Sequence, residues 1–217
     1  VLIFLSGERT AFFNNTLAAL FIIIMINNFK KIRLITLLTS FFLIFLISTY
    51  DDTAKNRVWD QTINQIGINS SKLKVFSVVH QSHYSSAYRM FLDNKLLGVG
   101  IRNYRNFCHN PKYITHHLSC STHPHNTYVQ LLSETGIIGF SFGLILFFYF
   151  VFKMFIHLKG ILFKKKYLFS DFQICILASI LITIWPLAPS GNFFNNWISI
   201  IYYYPIGFFL WTLKHKD

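Results

Sequence analysis

The sequence has few charged residues, and this scarcity excludes an ordinary soluble domain. Only 13% of its 217 residues are charged, against roughly 25% in a typical soluble protein. Hydrophobic residues make up 53% of the chain and aromatic residues 18%. The chain also lacks an internal repeat and a low-complexity tract. This composition predicts a membrane protein that has no separate soluble domain.

The chain also lacks an initiator methionine and the charged start of a signal peptide. It begins with Val1, inside an apolar run. We therefore expect residues 1–217 to be the C-terminal portion of a longer membrane domain that has further spans before it. A portion of this kind is not expected to work alone.

Half of the 20 Lys and Arg residues lie in three short basic clusters. The formal net charge of +12 at pH 7 would by itself fit nucleic-acid binding. The clusters, however, lie between or after the apolar runs, as the positive-inside rule expects of cytoplasmic loops. We therefore expect membrane lipid next to them and no nucleic-acid partner. The clusters are Lys30, Lys31 and Arg33; Lys153, Lys159, Lys164, Lys165 and Lys166; and Lys214 with Lys216.

Five apolar runs are each close to the roughly 20 residues that a helix needs to cross a bilayer. If the basic clusters are cytoplasmic, the connecting segments alternate between the two sides without conflict. The predicted fold is an all-α integral membrane protein, a bundle of about five transmembrane helices with a large extracytoplasmic loop, residues 51–135, that contains short helices. The runs are 11–26, 34–50, 136–152, 172–188 and 197–213.

The loop 51–135 contains most of the polar chemistry of the chain. It has nine Lys or Arg, five Asp or Glu, and seven of the nine histidines. Residues 51–71 are polar and rich in Asn, whereas 75–97 show the apolar periodicity of a helix that lies against the membrane. Residues 96–100, which include Gly98 and Gly100, are predicted to form a turn. We therefore expect the functional residues in this loop.

The most specific pattern in the loop is His123-Pro124-His125-Asn126. Pro124 is incompatible with a helix interior and Asn126 is a good helix cap, so a helix is predicted to begin here and to continue into the third span. His125 would then lie at a helix N-terminus, which attracts phosphate and favours the neutral imidazole that a general base requires. An isolated His-Pro-His is more often a capping or surface feature, so this interpretation depends on the rest of the pattern.

Four arginines are candidate phosphate-binding residues. Arg9 lies at the edge of the first span, where an unpaired guanidinium is costly, and Glu8 is its candidate partner. Arg89, Arg102 and Arg105 lie on the loop. Planar guanidinium groups bind phosphate oxygens through two hydrogen bonds, which suits a substrate that contains pyrophosphate. Each arginine also fits an interfacial or solvated charge.

The cysteines allow three interpretations. Cys108 and Cys120 both lie on the loop, whereas Cys175 lies in a predicted span. In an oxidising compartment the two loop cysteines would form a disulfide, worth roughly 2 to 4 kcal/mol. Zinc binding and two free thiols are the alternatives, and the Cys and His spacing does not match a recognised zinc pattern. The further candidate zinc ligands are His109, His116, His117, His123 and His125.

The spacing around the histidine pattern resembles that of a known family. His125-Asn126, nine residues and then Gly136-x-x-Gly139 match the HN-x9-G-x-x-G pattern that ends the large periplasmic loop of the O-antigen ligase and O-antigen polymerase superfamily. The resemblance extends over nearly the whole chain. The resemblance also includes residues 6–9 at a span edge, the glycine-containing segment 94–100 and the stretch 186–194 near the end of the chain.

The resemblance implies a multi-pass protein of the bacterial inner membrane with its loop in the periplasm. It implies a glycosyltransferase that uses no metal or other cofactor and moves glycan from undecaprenyl pyrophosphate to lipid A core. His125 would be the catalytic base. Arg9, and less securely Arg89 and Arg102, would bind the pyrophosphate. His123 and Asn126 would be further contacts of the pyrophosphate or the glycan.

Other functions stay open at this level. A polymerase would use the same donor with a second lipid-linked glycan as acceptor, and no residue identifies the acceptor. A ligase that acts on protein is a third variant. A transporter would need charged or Gly/Pro-broken centres repeated among its spans, and the sequence does not repeat such a centre. A non-catalytic membrane scaffold would not depend on His125.

Overall fold

The computed structural model describes residues 1–66, 76–164 and 166–214, and these residues contain helices but no strand. A π-helical turn, Asn56–Asp60, lies between two short helices that end at Lys55 and begin at Gln61. The helices are α1 Leu2–Ser6, α2 Arg9–Met25, α3 Lys30–Tyr50, α4 Asp52–Lys55, α5 Gln61–Ile66, α6 Val78–Asp93, α7 Tyr104–Phe107, α8 Thr127–Lys164, α9 Asp171–Thr183 and α10 Asn196–Lys214.

The five long helices α2, α3, α8, α9 and α10 coincide with the five predicted apolar runs. Two stretches, Lys30–Tyr50 and Thr127–Phe163, are long and apolar enough to cross a membrane. Arg9–Met25 and Asp171–Thr183 are apolar but shorter. The all-helical class is therefore confirmed for the described residues, whereas the count of five spans and the side on which the loop lies stay predictions.

Two predicted helix ends were wrong. α8 continues to Lys164, so Lys153 and Lys159 lie on the helix and not in a loop after it. Lysine is a good helix former, and its aliphatic stem lets the ammonium group reach polar surroundings from a helix. α9 ends at Thr183, before the predicted 188, because Pro186 cannot continue a helix and also restricts the residue before it.

The predicted loop helix over 75–97 is shorter in the structure. α6 spans Val78–Asp93, and Ser77 caps it by accepting a hydrogen bond from the His80 N–H at 3.3 Å. A proposed start at Val75 lies outside the described residues, as do residues 67–71 of the Asn-rich segment. Lys165 and Lys216 of the basic clusters lie outside them too.

The main apolar core lies among α2, α8, α9 and α10. Phe150, Leu177 and Phe209 are fully buried there. In contrast, large side chains on the outer faces of α3 and α8 are exposed, such as Phe45 at 63% and Phe142 at 76%. Apolar surface of this extent suits helices that face lipid.

The segment 95–100 packs directly on α8 where Gly136 interrupts the helix (φ 65°, ψ −161°). Three backbone hydrogen bonds of 2.8 to 3.0 Å join the two parts of the chain. A Cβ on Gly98 would collide with the Glu134 backbone, and one on Gly136 with the Leu96 carbonyl. Both glycines also have positive φ, which side chains disfavour. The two glycine patterns of the sequence therefore form one contact, which fixes the loop to α8.

A second, smaller core holds the loop together over α6 and α7. Ala87, Met90 and Tyr104 are buried within it. The Tyr104 hydroxyl donates to the backbone carbonyls of Ser119 at 2.6 Å and His83 at 3.3 Å. Tyr104 thereby links α7 to α6 and to the segment that precedes the histidine pattern.

Candidate active site

The histidine pattern is anchored on two sides. The Asn126 Oδ1 accepts hydrogen bonds from two N–H groups in the first turn of α8, at 3.0 and 3.1 Å, so the predicted helix start is confirmed. The Asn126 amide donates to the Pro186 carbonyl at 2.8 Å, and the Ser190 N–H donates to the His125 carbonyl at 3.0 Å. The stretch 186–190 therefore holds His125 in place.

His125 has a backbone conformation that residues other than glycine rarely adopt, with φ at +58°. Strain of this kind costs about 1 to 3 kcal/mol and persists where the surrounding structure enforces it, often at functional sites. Asn126 on one side and the bond from Ser190 on the other provide that enforcement here. The backbone conformation at His125 is therefore fixed by its neighbours.

The ring of His125 and three other histidine rings form a cluster. The His123 ring centroid lies 4.1 Å from that of His125, and the His83 ring stacks on it at 5.3 Å with 27° between the planes. The His80 ring lies 5.9 Å away. His80 and His83 are three residues apart on α6, so they share one helix face. α6 packs against α8, which brings this face to the histidine pattern.

Burial keeps the imidazoles of this cluster neutral. It lowers the pKa of His125 below the usual 6.5. Burial, followed by repulsion from charge on His125, lowers the pKa of His83 and of His123 to about 4 each. Charging one ring thus opposes charging another. At neutral pH the cluster is uncharged, and His125 can accept a proton.

Arg9 is the sequence-predicted arginine that lies close to the cluster. After burial and His125, its charge contributes to the lowered pKa of His80. Its guanidinium donates to the Gln65 side chain at 2.9 Å. The expected pairing with Glu8 was wrong: Gln65 is the hydrogen-bond partner, because the helical run 52–66 returns to this edge of α2.

Of the loop arginines, Arg105 acts on the histidine cluster through its charge. Its charge is among the causes that lower the pKa of His123. Arg89 instead donates to the Lys112 and Ile114 carbonyls at 3.4 and 3.2 Å. Arg102 is exposed, in a turn with φ at +62°. The structure therefore brings His123 and Asn126 to His125 and places Arg9 where its charge acts on His80, whereas the hydrogen bonds of Arg89 are made to the loop backbone.

A buried carboxylate ties three segments together behind the site. Glu134, 1% exposed, accepts the Tyr104 N–H and the Gln130 amide, both at 2.9 Å. Gln130 also donates to Asn192 at 2.8 Å and accepts the Phe193 N–H at 2.9 Å. Because buried polar groups are costly when unpaired, this network fixes the loop, α8 and the stretch before α10 relative to one another.

Cys108 and Cys120 form a disulfide with Cα atoms 5.0 Å apart. His109 lies near both sulfur atoms, so the trio could hold a metal only if the bond were reduced. Cys108 is fully buried in the loop core. The bond closes the segment that leads into the histidine pattern, and it limits the freedom of that segment in the unfolded chain.

Sequence reasoning missed His80 and His83. The signal was their spacing, because two histidines at i and i+3 on an amphipathic helix lie on one face. Arg105 was noted in the sequence but not selected. Arg102 lies in a turn and Arg105 on the one-turn helix α7 that follows it. This difference determines which of these two arginines acts on His123, and a single sequence does not reveal it.

An apolar groove of about 420 Å³ begins beside the site. It starts at Thr127, two residues after His125, and continues along α8 past Leu131 and Phe142 to Leu146. Phe194 lies on its opposite wall. The groove therefore follows the apolar part of α8 from the first residue of that helix, which comes directly after the histidine pattern.

A sequence profile of a family described as O-antigen ligase matches residues 1–144. The match includes Arg9, the loop, the histidine pattern and both glycines of the G-x-x-G pattern. No curated protein and no solved structure matches the chain. The resemblance drawn from His125, Asn126, Gly136 and Gly139 is confirmed. Members of this family have membrane functions of the O-antigen ligase or polymerase type, associated with glycosyltransferase-like activity. The chain belongs to the O-antigen ligase family.

Proposed function

We propose that this chain contains the catalytic centre of a membrane glycosyltransferase, with His125 as the base. The donor is glycan on undecaprenyl pyrophosphate, and the acceptor is lipid A core. The observation that supports this proposal best is the neutral His125 imidazole, on a strained backbone and within a cluster where the charge of Arg9 acts on His80 and that of Arg105 on His123. A neutral base beside cationic groups is what attack by a hydroxyl on a pyrophosphate-linked sugar requires.

In the proposed reaction, His125 takes the proton of the acceptor hydroxyl while its oxygen attacks the anomeric carbon. The bond between that carbon and the pyrophosphate oxygen breaks, and its electron pair leaves with the pyrophosphate. Arg9 and Arg105 stabilise the charge of the leaving group. The mechanism needs no metal or other cofactor, since base and counter-charges are all side chains.

The sequence-predicted binding residues take different roles in this proposal. Arg105 takes the place of Arg89 in the pyrophosphate site, because the charge of Arg105 acts on His123 whereas Arg89 bonds to the loop backbone; Arg102, which is exposed like Arg105, stays a candidate. Asn126 acts by positioning His125, since its side chain already caps α8 and binds the Pro186 carbonyl. His123 flanks His125 at 4.1 Å and remains a candidate contact of the substrate.

The apolar groove along α8 is proposed to hold the polyprenyl chain of the donor. It begins two residues from His125 and is lined mainly by apolar side chains. A lipid bound there would place its pyrophosphate end beside the histidine cluster. This arrangement requires the loop on the periplasmic face of the inner membrane, which we propose for the chain.

The test uses a strain that lacks the gene, with the gene on a plasmid as the complemented control. If the protein is a ligase, the deletion strain is expected to have lipid A core without glycan and to accumulate long glycan on undecaprenyl pyrophosphate, and the plasmid restores the normal state. A core capped with a single repeat unit would instead assign polymerisation, in which a second lipid-linked glycan is the acceptor at the same centre.

The catalytic assignment is tested in the same strain with His125→Ala. At equal membrane abundance this variant is expected not to restore the glycan, whereas His117→Ala restores it. His117 is the matched control because it is an exposed histidine of the same loop. Restoration by His125→Ala would reject catalysis by this residue and favour a scaffold.

A further inference from the structure

Several buried polar atoms beside His125 have no hydrogen bond of ordinary geometry among the residues that the structure describes. The clearest is the Nδ1 of His83, a residue that is only 4% exposed and whose ring also approaches the Leu118 backbone. The Tyr84 hydroxyl is buried next to Asn126 but makes no such bond. Native proteins pair nearly all buried polar atoms, and each unpaired one costs free energy. Adjacent residues of α6 thus present unused hydrogen-bonding capacity at the site.

These unused groups are uncharged. Burial lowers the pKa of His83 to about 4, so its ring is neutral at pH 7 and offers one donor and one acceptor. Burial raises the pKa of Tyr84 to about 12, so its hydroxyl keeps its proton. Neutral groups that both donate and accept match hydroxyl groups better than they match phosphate, for which Arg9 and Arg105 are suited.

The position of these groups relative to His125 indicates what they face. The His83 ring stacks on the His125 ring at 5.3 Å, and the next residue, Tyr84, lies beside Asn126. A molecule whose reacting hydroxyl or anomeric carbon lies at His125 would therefore bring its neighbouring sugar atoms to His83 and Tyr84.

We propose that His83 and Tyr84 form a hydroxyl-binding subsite that holds a sugar ring against His125. This inference rests on the proposed function, because it takes His125 as the centre of the reaction. The subsite divides recognition into two parts: arginines bind the pyrophosphate, and α6 binds the sugar. The sugar belongs either to the donor glycan or to the acceptor, since both present hydroxyl groups at the reacting atoms.

The test compares His83→Phe and Tyr84→Phe in the complete protein, in membranes or detergent. Phenylalanine keeps an aromatic ring at each position but removes the polar atoms. The controls are His117→Phe and Tyr88→Phe; Tyr88 lies one turn further along α6 and is exposed. Transfer is measured while the concentrations of carrier-linked glycan and of acceptor, both extracted from the host bacterium, are varied separately.

Each α6 variant is expected to lower kcat/KM for one of the two sugar substrates by about tenfold or more, since a neutral hydrogen bond is lost and a sugar hydroxyl is left unpaired. The substrate whose KM rises identifies the source of the sugar. Inhibition by undecaprenyl pyrophosphate, which has no sugar, is expected to be unchanged.

Two results would overturn the inference. One is kcat/KM for both substrates within twofold of the wild type and the controls. The other is weakened inhibition by undecaprenyl pyrophosphate in parallel with the loss of kcat/KM, which would indicate a general disturbance of the site. If His125→Ala itself retained activity, the proposed function would fail instead, whatever the α6 variants did.

Discussion

The buried histidine His157 and the histidine cluster around His125 differ in how completely their ring nitrogens are hydrogen-bonded. His157 on α8 is fully buried, and both of its ring nitrogens are used. The Nε2 bonds to the Met25 carbonyl at 3.1 Å, and the Nδ1 accepts the Leu168 and Phe169 N–H groups at 3.2 Å each. Since Nδ1 accepts, Nε2 must carry the proton, and the ring is locked as one neutral tautomer.

The cluster around His125 differs because its hydrogen bonds are incomplete. The His83 Nδ1 and the His123 Nε2 are buried without an ordinary hydrogen bond among the described residues, although the latter approaches Ser190. Full pairing at His157 contributes to stability by joining α2, α8 and the segment before α9. Incomplete pairing near His125 leaves hydrogen-bonding atoms for the substrate that we propose. Burial alone thus does not separate structural from functional histidines, whereas hydrogen-bond satisfaction does.

The largest expected effect separates these two sites directly. In purified protein, His125→Ala should lower kcat by about 10²- to 10⁴-fold, the usual contribution of a general base, while the thermal unfolding midpoint stays close to that of the wild type. Transfer rates and unfolding curves for the same preparation provide both numbers. If His125→Ala lowered the unfolding midpoint as much as His157→Ala does, His125 would be a structural residue like His157.

A second effect concerns the arginines around the cluster. Arg9→Lys keeps the charge but loses the planar fork, so kcat/KM should fall roughly 10- to 100-fold, as expected for one or two charge-assisted bonds. Arg89→Lys is the control, because Arg89 bonds only to exposed loop carbonyls. Equal losses in both variants would restore the sequence-based view that Arg89 binds pyrophosphate.

The third prediction concerns the satisfied histidine. His157→Ala removes three hydrogen bonds and leaves two backbone N–H groups without their acceptor, so the free energy of unfolding should fall by about 2 to 4 kcal/mol. Activity per folded molecule should change less than about twofold. Lys159→Ala, exposed on the same helix, controls for the loss of a side chain. A tenfold loss of kcat without destabilisation would show that His157 acts in the reaction.

The features that the sequence predicted correctly depend on single residues or on short spacing. Pro124 and Asn126 located the start of α8, because a proline and a capping amide act on the backbone beside them. Gly98 and Gly136 were each recognised as parts of motifs. Their mutual contact was not predicted, because it depends on how a distant backbone segment crosses α8.

The features that were missed depend on packing between segments. His80 and His83 reach the site only because α6 lies against α8, and no local rule specifies that contact. Arg9 was expected to pair with its neighbour Glu8, but the helical run 52–66 supplies Gln65 instead. Local chemistry in the sequence thus pointed to the proposed reaction centre, whereas the groups around it come from tertiary structure.

The smallest expected effect is in the pH dependence, and it tests whether the cluster is neutral. Burial lowers the pKa of His125 below 6.5, so its unprotonated fraction, and with it kcat/KM, should fall only when the pH drops below 6.5. At pH 6.5 an ordinary histidine base would leave half of the maximal rate, and this protein should retain more.

Folded stability should decline over a similar range, since unfolded histidines bind protons below pH 6.5 whereas His83 and His123 do so near a pKa of about 4. Unfolding curves at each pH therefore separate loss of the base from loss of the fold. A midpoint of the acid limb at or above pH 6.5, in protein that is still folded, would mean that His125 is hydrated and not held neutral by its neighbours.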